Sequence, residues 1–293
     1  MKSPAFKKIV IIGLGLMGGS LAAAARKKFP NSQIVGVSRS RNALNLAFKR
    51  KWITEGHYDQ NLEMALAGAD FVVICTPVDL IFHYLGIIDK SVQNPVVVTD
   101  VGSAQNSTAE LVKRKKWKYV RYVGAHPMVG SDARGIHAAK PSLYENGVVI
   151  ITGESKKPGF RPVAQFWKEI AREVSHFDPK IHDNLIAQIS HLPHLLSTCL
   201  MLTASKASLK VAATGFKDMT RLANGAESIW APIFTSNKTY LIKALSKYKK
   251  ELAKLEHLVK SNDTNGLRKV LRNAAELRNK WERSKKNIAC LPD

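Results

Sequence analysis

Cysteine is scarce. Cys75, Cys199 and Cys290 are the only three in 293 residues, far apart and odd in number. That excludes a disulfide framework and points to a reducing compartment. Acidic residues are also in short supply: 23 Asp and Glu stand against 45 Lys and Arg, a formal net charge of +22. The excess is spread evenly. Residues 1–177 carry 25 basic and 13 acidic side chains, residues 178–293 carry 20 and 10, and the one short basic run is "KRKKWK" at 113–118. Nucleic-acid binding needs a basic patch or stripe, so no nucleic-acid partner is expected. A generally positive field does attract small polyanionic substrates and phosphorylated cofactors. Long apolar runs are nearly missing. "IVIIGLGLMGGSLAAAA" (9–25), behind Lys7 and Lys8, has the outline of a signal peptide, but it is short and rich in glycine for a membrane span. No other run is expected to cross a bilayer, so the expectation is a soluble cytoplasmic protein with no membrane partner.

What is present is 45% hydrophobic residues in a chain long enough for two domains. "KIVIIGLG" is an apolar run ending in glycine, as buried parallel strands read. "QIVGVS" (33–38), "FVVICTP" (71–77) and "PVVVTDVGS" (95–103) repeat the type, with helical stretches at 18–28 and 61–68 between them. "YVGAHP" (122–127) and "GVVIITG" (147–153) are expected to extend the same sheet, and a helix near 161–172 with a strand at "EVSHF" to close it. After "DPKIHDN" (178–184) helical patterns take over. Leu241, Leu245, Tyr248, Leu252, Leu255 and Val259 form one stripe; after "SNDTNG", Leu267, Val270, Ala274, Leu277 and Trp281 form another. Such stripes suit core packing or a dimer seam. The expectation is therefore α/β: a Rossmann-type, doubly wound parallel sheet over 1–177, followed by an all-α domain over 178–293.

"GLGLMG" places Gly13, Gly15 and Gly18 in a G-x-G-x-x-G array between an apolar strand and a helix. Gly13 permits the tight turn, Gly15 lets backbone approach a pyrophosphate, and Gly18 lets the helix pack closely. With Leu14, Leu16 and Met17 these residues are the expected phosphate loop, using the N–H groups of the helix start. Twenty residues after Gly18, where NAD-binding chains carry Asp or Glu for the ribose, this chain has Ser38, Arg39, Ser40 and Arg41. Hydroxyls and guanidinium forks suit a 2′-phosphate, so NADP is expected over NAD.

Ligands of such folds bind beyond the carboxyl ends of the strands. Thr76, Pro77 and Asp79, then Asp100, Gly102 and Ser103, then His126 and Pro127 stand there. A neutral imidazole at His126 can take a proton from a substrate hydroxyl while hydride leaves the same carbon. In "SHLPH" (190–194), His191 and His194 stand three apart with no Cys or acidic cluster nearby in sequence, which disfavours a metal site.

Four stretches together, "IIGLGLMGGSLA" (11–22), "DVGSAQ" (100–105) with "GAHPMVGS" (124–131), "ISHLPHLLS" (189–197) and "GFKDMTRLA" (215–223), resemble the prephenate/arogenate dehydrogenase family of tyrosine biosynthesis, in the family's order and across nearly the whole chain. The resemblance implies an oxidative decarboxylation: hydride passes from the carbinol carbon of a cyclohexadienol to NAD(P), the ring carboxylate leaves as CO2 and the ring becomes aromatic. It implies that His126 is the base for the ring hydroxyl and that Ser103, which also belongs with Thr76 and Pro77 to the cofactor site, helps to position both. It implies that Arg221 holds a carboxylate of the dicarboxylate substrate, that His194 meets the substrate side chain, and that His191 supports the site wall. Gly130, Ser131 and Lys217 are expected to line the substrate site, with Asp218 and Trp230 near it. A homodimer through the helical domain is implied as well. Relatives often carry a regulatory domain or a fused chorismate mutase; neither is expected here, so any feedback by tyrosine would have to act at the active site or the dimer interface. Two rivals remain. A β-hydroxyacid dehydrogenase shares the "GLGLMG" start, but relies on a catalytic lysine in place of "HPMVG" and "SHLPH". A non-catalytic NADP-binding sensor fits the charge.

Overall fold

The computed structural model describes residues 6–130 and 133–289, with side chains as far as Ser284. Six strands form one parallel sheet: β1 (Lys8–Ile12), β2 (Gln33–Ser38), β3 (Glu55–Tyr58), β4 (Phe71–Ile74), β5 (Val96–Asp100) and β6 (Val120–Tyr122). Their order is β3-β2-β1-β4-β5-β6, as the doubly wound reading requires. Helices α1 (Leu16–Lys28), α2 (Arg41–Lys49), α3 (Leu62–Leu66), α4 (Ile81–Ser91) and α5 (Asn106–Arg114) make the crossovers. The order in which the chain adds strands reverses between β1 and β4, the place where such sheets open a ligand crevice.

β1 shows why both faces are covered. Ile9 and Ile11 join one apolar cluster, Val10 and Ile12 the other, and all four are buried. On the first face Phe6, Phe29, Phe71 and Phe166 pack with ring centroids 4.6–5.9 Å apart, beside fully buried Trp167. Truncating one such aromatic costs about 3–5 kcal/mol.

The sheet does not continue as the sequence suggested. "YVGAHP" breaks at Val123, whose N–H donates to the Val98 carbonyl of β5. β7 (Gly124–Pro127) then leaves to pair antiparallel with β8 (Val148–Thr152), which pairs parallel with β9 (Glu173–Phe177). These three form a separate sheet, with α6 (Phe160–Ile170) between β8 and β9. Apolar alternation is the same in either sheet, so only the partners distinguish them. β3, "EGHY", was not expected: it has no apolar run, and its pairing to β2 defines it.

Residues 179–203 form one helical stretch: α7 (Pro179–Ile186), a wide π turn (Ala187–His191) and α8 (Leu192–Thr203). By length and composition it is apolar enough to cross a membrane, which corrects the expectation that no run after the first could. Pro193 explains the π turn. It has no N–H to donate, and its ring would collide with the carbonyl four residues back in an ordinary helix. Four short elements follow: α9 (Lys206–Lys210), α10 (Thr214–Thr220), a 3-10 turn (Arg221–Asn224) and α11 (Glu227–Ser236). α11 seats Ile233 in the second apolar cluster of the sheet, with Trp230 and Phe234 packed against it.

The chain divides into two compact units, one ending at Leu241 and one beginning at Ile242. α12 (Lys238–Lys260) and α13 (Thr264–Ala289) carry the two expected stripes. In the second unit Asn262 takes a left-handed φ of 53° at the turn. There Tyr248, Leu252, Val259, Leu271, Leu277 and Trp281 are exposed.

Candidate active site

The glycine-rich turn joins β1 to α1. Gly13 takes φ +96°, and a Cβ there would stand 2.9 Å from the Cys75 carbonyl oxygen, so the turn between β1 and α1 needs glycine. A Cβ on Gly18 would overlap the Gly13 carbonyl oxygen. At Gly15 a Cβ would meet nothing within 4 Å, and Gly15 is the N-cap of α1 with no side chain capping the first N–H groups. A tight turn, an approachable backbone and a helix N-terminus fit a dinucleotide pyrophosphate. Leu14 contributes backbone only, because its side chain is buried in the core. Leu16 and Met17 are half-buried; the Met17 carbonyl accepts from Tyr144 Oη at 3.0 Å.

At the end of β2, Ser40 caps α2 by accepting from the Ala43 N–H at 3.2 Å, and its own N–H donates to Ser38 Oγ at 3.1 Å. This local knot leaves Arg39 and Arg41 exposed at the rim. Thr76 and Pro77 follow β4 and are half-buried, while Asp79 points to solvent.

His126 lies at the centre. It is only 8% exposed, and its Nδ1 is 2.9 Å from His182 Nε2. Its Nε2 has no hydrogen bond among the described residues. Burial, with His182 and His191 close by, holds its pKa well below the usual histidine value, so the imidazole is neutral, as a base must be. Behind it, His182 Nδ1 lies 2.8 Å from Asp183 Oδ1. Asp183 also accepts the Gln105 N–H at Oδ1 (2.8 Å) and the Asn106 N–H at Oδ2 (2.9 Å).

Gln105 ties this cluster to the turn after β5. Its Nε2 donates to Asp100 Oδ1, the Gly102 carbonyl and the Ala125 carbonyl at 2.9, 2.8 and 3.2 Å. Asp100 is fully buried, and burial pushes it up to about 6 against hydrogen bonds from Tyr122, Gly102 and Gln105 that pull it down. The turn presents Ser103, whose buried Oγ has no hydrogen-bond partner among the described residues. No hydrogen bond joins Ser103 Oγ to His126 among the described residues. The ring is oriented from the other side, by His182.

The π turn and α8 supply the facing wall. His191 is fully buried, its Nδ1 3.0 Å from Asn237 Nδ2, and burial lowers its pKa to about 4. His194 stacks on Trp230 at 3.6 Å and 15°. Gly225 makes room for this stack, since a Cβ there would meet the Trp230 ring at 2.6 Å. One turn along α8 from His194, Ser197 Oγ accepts the Ala223 N–H at 3.0 Å, which fixes the 3-10 turn that Arg221 begins. Arg221, Lys217 and Asp218 are all exposed. Gly130 is exposed, and Ser131 lies outside the described residues. Cys75 takes no part as a nucleophile, because burial raises its thiol pKa far above normal. Among the described residues no group of three His, Cys, Asp or Glu could hold a metal ion.

His182, Asp183, Asn237 and Gln105 were not singled out from the sequence. "DPKIHDN" read only as a boundary, yet it holds a signal: Asp178 accepts the Lys180 N–H as N-cap, Pro179 opens the helix, and His182 and Asp183 fall together one turn later. Ile186, one turn on from His182 and buried, marks that face as inward.

His126 and His191, both buried with pKa values well below the usual range, make a prediction about stability. Their folded pKa values lie below the unfolded value of about 6.5, so the stability they contribute is present above that pH and is lost as pH falls toward 4. Asp100, raised to about 6, acts in the opposite sense over the lower part of that window. Two groups outweigh one, so Tm is expected to fall between pH 7 and 4.5, and more steeply in Asp100→Asn. A Tm flat over this range would contradict neutral burial of His126 and His191.

Comparison with known proteins shows the family. The profile "Prephenate dehydrogenase, nucleotide-binding domain" matches residues 21–175, and "Prephenate dehydrogenase, dimerization domain" matches residues 178–273. The prephenate dehydrogenase of Bacillus subtilis is 30% identical over 92% of this chain and 75% of its own. Among solved structures, A. aeolicus prephenate dehydrogenase in complex with hydroxyphenyl propionate and NAD+ superposes with a TM-score of 0.86 at 26% identity, over 95% of this chain and 99% of that one. Synechocystis arogenate dehydrogenase gives 0.78 at 28% identity, over 94% and 99%. The chain belongs to the prephenate/arogenate (cyclohexadienyl) dehydrogenase family, the NAD(P)-dependent oxidoreductases of tyrosine biosynthesis.

Proposed function

We propose that this enzyme oxidises prephenate or arogenate with NADP in preference to NAD, and that His126 takes the proton of the ring hydroxyl. One observation carries the reading: a nearly buried, neutral imidazole at a strand end whose Nδ1 is engaged and whose Nε2 alone is left to meet a substrate. The bound cofactor supplies the hydride acceptor. Gly13 to Gly18 hold its pyrophosphate, and Ser38 to Arg41, with Thr76, Pro77 and Ser103, complete its site. Ser103 Oγ offers a buried donor to the hydroxyl or the nicotinamide. Arg221 and Lys217 bind substrate carboxylates, the former as a bidentate fork. His194, held flat by Trp230, contacts the side chain, and Gly130 and Ser131 border the ring. Residues 1–177 serve cofactor binding and residues 178–293 serve substrate binding and homodimer formation. The exposed apolar side chains of α12 and α13 support that last role.

Steady-state rates with prephenate and with arogenate, each paired with NADP and with NAD, test the reading. The NADP pairs are expected to have the higher kcat/KM. In Arg39→Ala/Arg41→Ala that advantage is expected to shrink by about 10–100-fold, as charged hydrogen bonds of roughly 1.5–3 kcal/mol are lost, while NAD rates stay unchanged. Equal use of both cofactors by the unaltered enzyme would remove the 2′-phosphate role of this loop.

A further inference from the structure

We propose that His182 and Asp183 form a proton relay behind His126, so that the working base is a pair of imidazoles anchored on a buried carboxylate. The proposal rests on the reading of His126 as the base.

The hydrogen bonds set every tautomer in the chain. Both Asp183 oxygens already accept backbone N–H groups, from Gln105 and Asn106, so the carboxylate faces donors on all sides. His182 Nδ1, 2.8 Å from Oδ1, must then carry a hydrogen. A neutral His182 keeps its lone pair on Nε2, and that atom lies 2.9 Å from His126 Nδ1. His126 Nδ1 is therefore the donor, and His126 Nε2 holds the lone pair. This is the one neutral form of His126 that accepts a proton from a substrate at Nε2. Asp183 thus dictates, two rings away, which form of the base exists. His182 is 0% exposed and Asp183 1%, so water does not compete for these bonds.

The same chain accommodates the charge. The substrate O–H bond breaks toward His126 Nε2, and its electron pair forms the C=O bond as hydride leaves the same carbon. The hydrogen on His126 Nδ1 can move to His182 Nε2, which brings the positive charge beside Asp183. When the ring C–C bond to the carboxylate breaks, its electron pair aromatises the ring and returns to the oxygen, which recovers the proton from His126 Nε2. The relay takes up and gives back one proton, with none consumed. The other ionisable groups packed round the pair are His191 from the π turn, Asp100 from β5, Tyr122 from β6 and Tyr240 from α12. Asp100 and Tyr122 are engaged with each other at 2.6 Å; His191 meets Asn237, whose Nδ2 also donates to the Asp183 backbone carbonyl at 2.9 Å and leaves the carboxylate to His182, Gln105 and Asn106.

His182→Leu and His182→Gln in the full-length enzyme, assayed with its preferred substrate and cofactor, test the proposal. In His182→Leu kcat is expected to fall by about 100-fold or more, while both KM values stay within about threefold. In His182→Gln the amide oxygen reaches the former Nε2 position and accepts the Nδ1 hydrogen. This keeps the tautomer and recovers about tenfold of the loss. In both variants the acid limb of kcat/KM moves to lower pH, because the carboxylate no longer stabilises the proton. If the leucine variant does not fold, the shift in His182→Gln decides alone. Near-normal kcat in His182→Leu, or a glutamine variant with an unmoved acid limb, overturns the relay. Near-normal turnover in His126→Asn overturns the reading of His126 itself, and the relay with it.

Discussion

Replacing His126 by Asn is expected to lower kcat by about 10²–10⁴-fold, the usual contribution of a positioned general base. The substitution is chosen for its shape. An Asn amide at this position stands near where Nδ1 was and keeps a hydrogen bond to His182 Nε2, so the buried cluster stays paired. What disappears is Nε2, the only ring nitrogen left to meet the substrate. Cofactor affinity is expected to be unchanged, because His126 stands at the end of β7 and the phosphate loop at the end of β1. Turnover should not vanish. Aromatisation drives the decarboxylation, and alignment of ring and nicotinamide alone can supply roughly 7–11 kcal/mol. Single-turnover rates with cofactor titrated separately distinguish the two effects. A variant with near-normal kcat, or one that loses kcat and cofactor binding together, would take the base role away from His126.

The second large effect is expected at the phosphate loop, where two glycines separate two functions. In Gly18→Ala the new Cβ overlaps the Gly13 carbonyl and comes within 3.0 Å of Cys75 Cβ. Gly13 has no room to retreat, because it is itself packed against the Cys75 carbonyl. α1 must therefore move away from the turn. Overpacking of this kind costs about 1–3 kcal/mol; at the upper end that is about a 100-fold weaker cofactor complex, with Tm lowered as well. In Gly15→Ala nothing in the protein opposes the methyl group. Tm is expected to stay constant while cofactor affinity falls, because the methyl occupies the path by which the pyrophosphate nears the backbone. Thermal melts and fluorescence titration of both variants give the comparison. A Gly15→Ala enzyme with normal cofactor affinity would mean that the phosphates do not approach at that residue.

The regions legible in the sequence are those where chemistry is local. Apolar runs ending in glycine, the G-x-G-x-x-G array and the helical stripes each depend on neighbours a few residues away, and all appear where expected. His126 was visible because it ends a strand before proline. The failures have one cause in common. "GVVIITG" has the composition of a strand in either sheet; whether β8 joins β6 or β7 depends on pairing between residues 20 or more apart in sequence. Whether Ser103 and His126 meet depends likewise on the distance between two loops, which is not written in either of them. The long apolar segment at 179–203 looked unremarkable as sequence, and its π turn arises from one proline inside a helix that must still pack on the site.

The sequence by itself determined the parallel sheet, the glycine-rich turn after β1, the basic rim at Ser38–Arg41 and the presence of a histidine at a strand end; its neutrality came from burial. Each follows from periodicity, turn geometry or charge within one short segment. Only the tertiary structure decided what stands behind that histidine. His126, His182 and Asp183 come from β7 and α7, 56 residues apart along the chain, and the Gln105 and Asn106 N–H groups that complete Asp183 come from the start of α5. A hydrogen bond is effective only within about 3 Å and at a favourable angle, and no local pattern encodes that separation. Folding brings the three segments to one buried point, and there an ordinary histidine acquires a fixed tautomer.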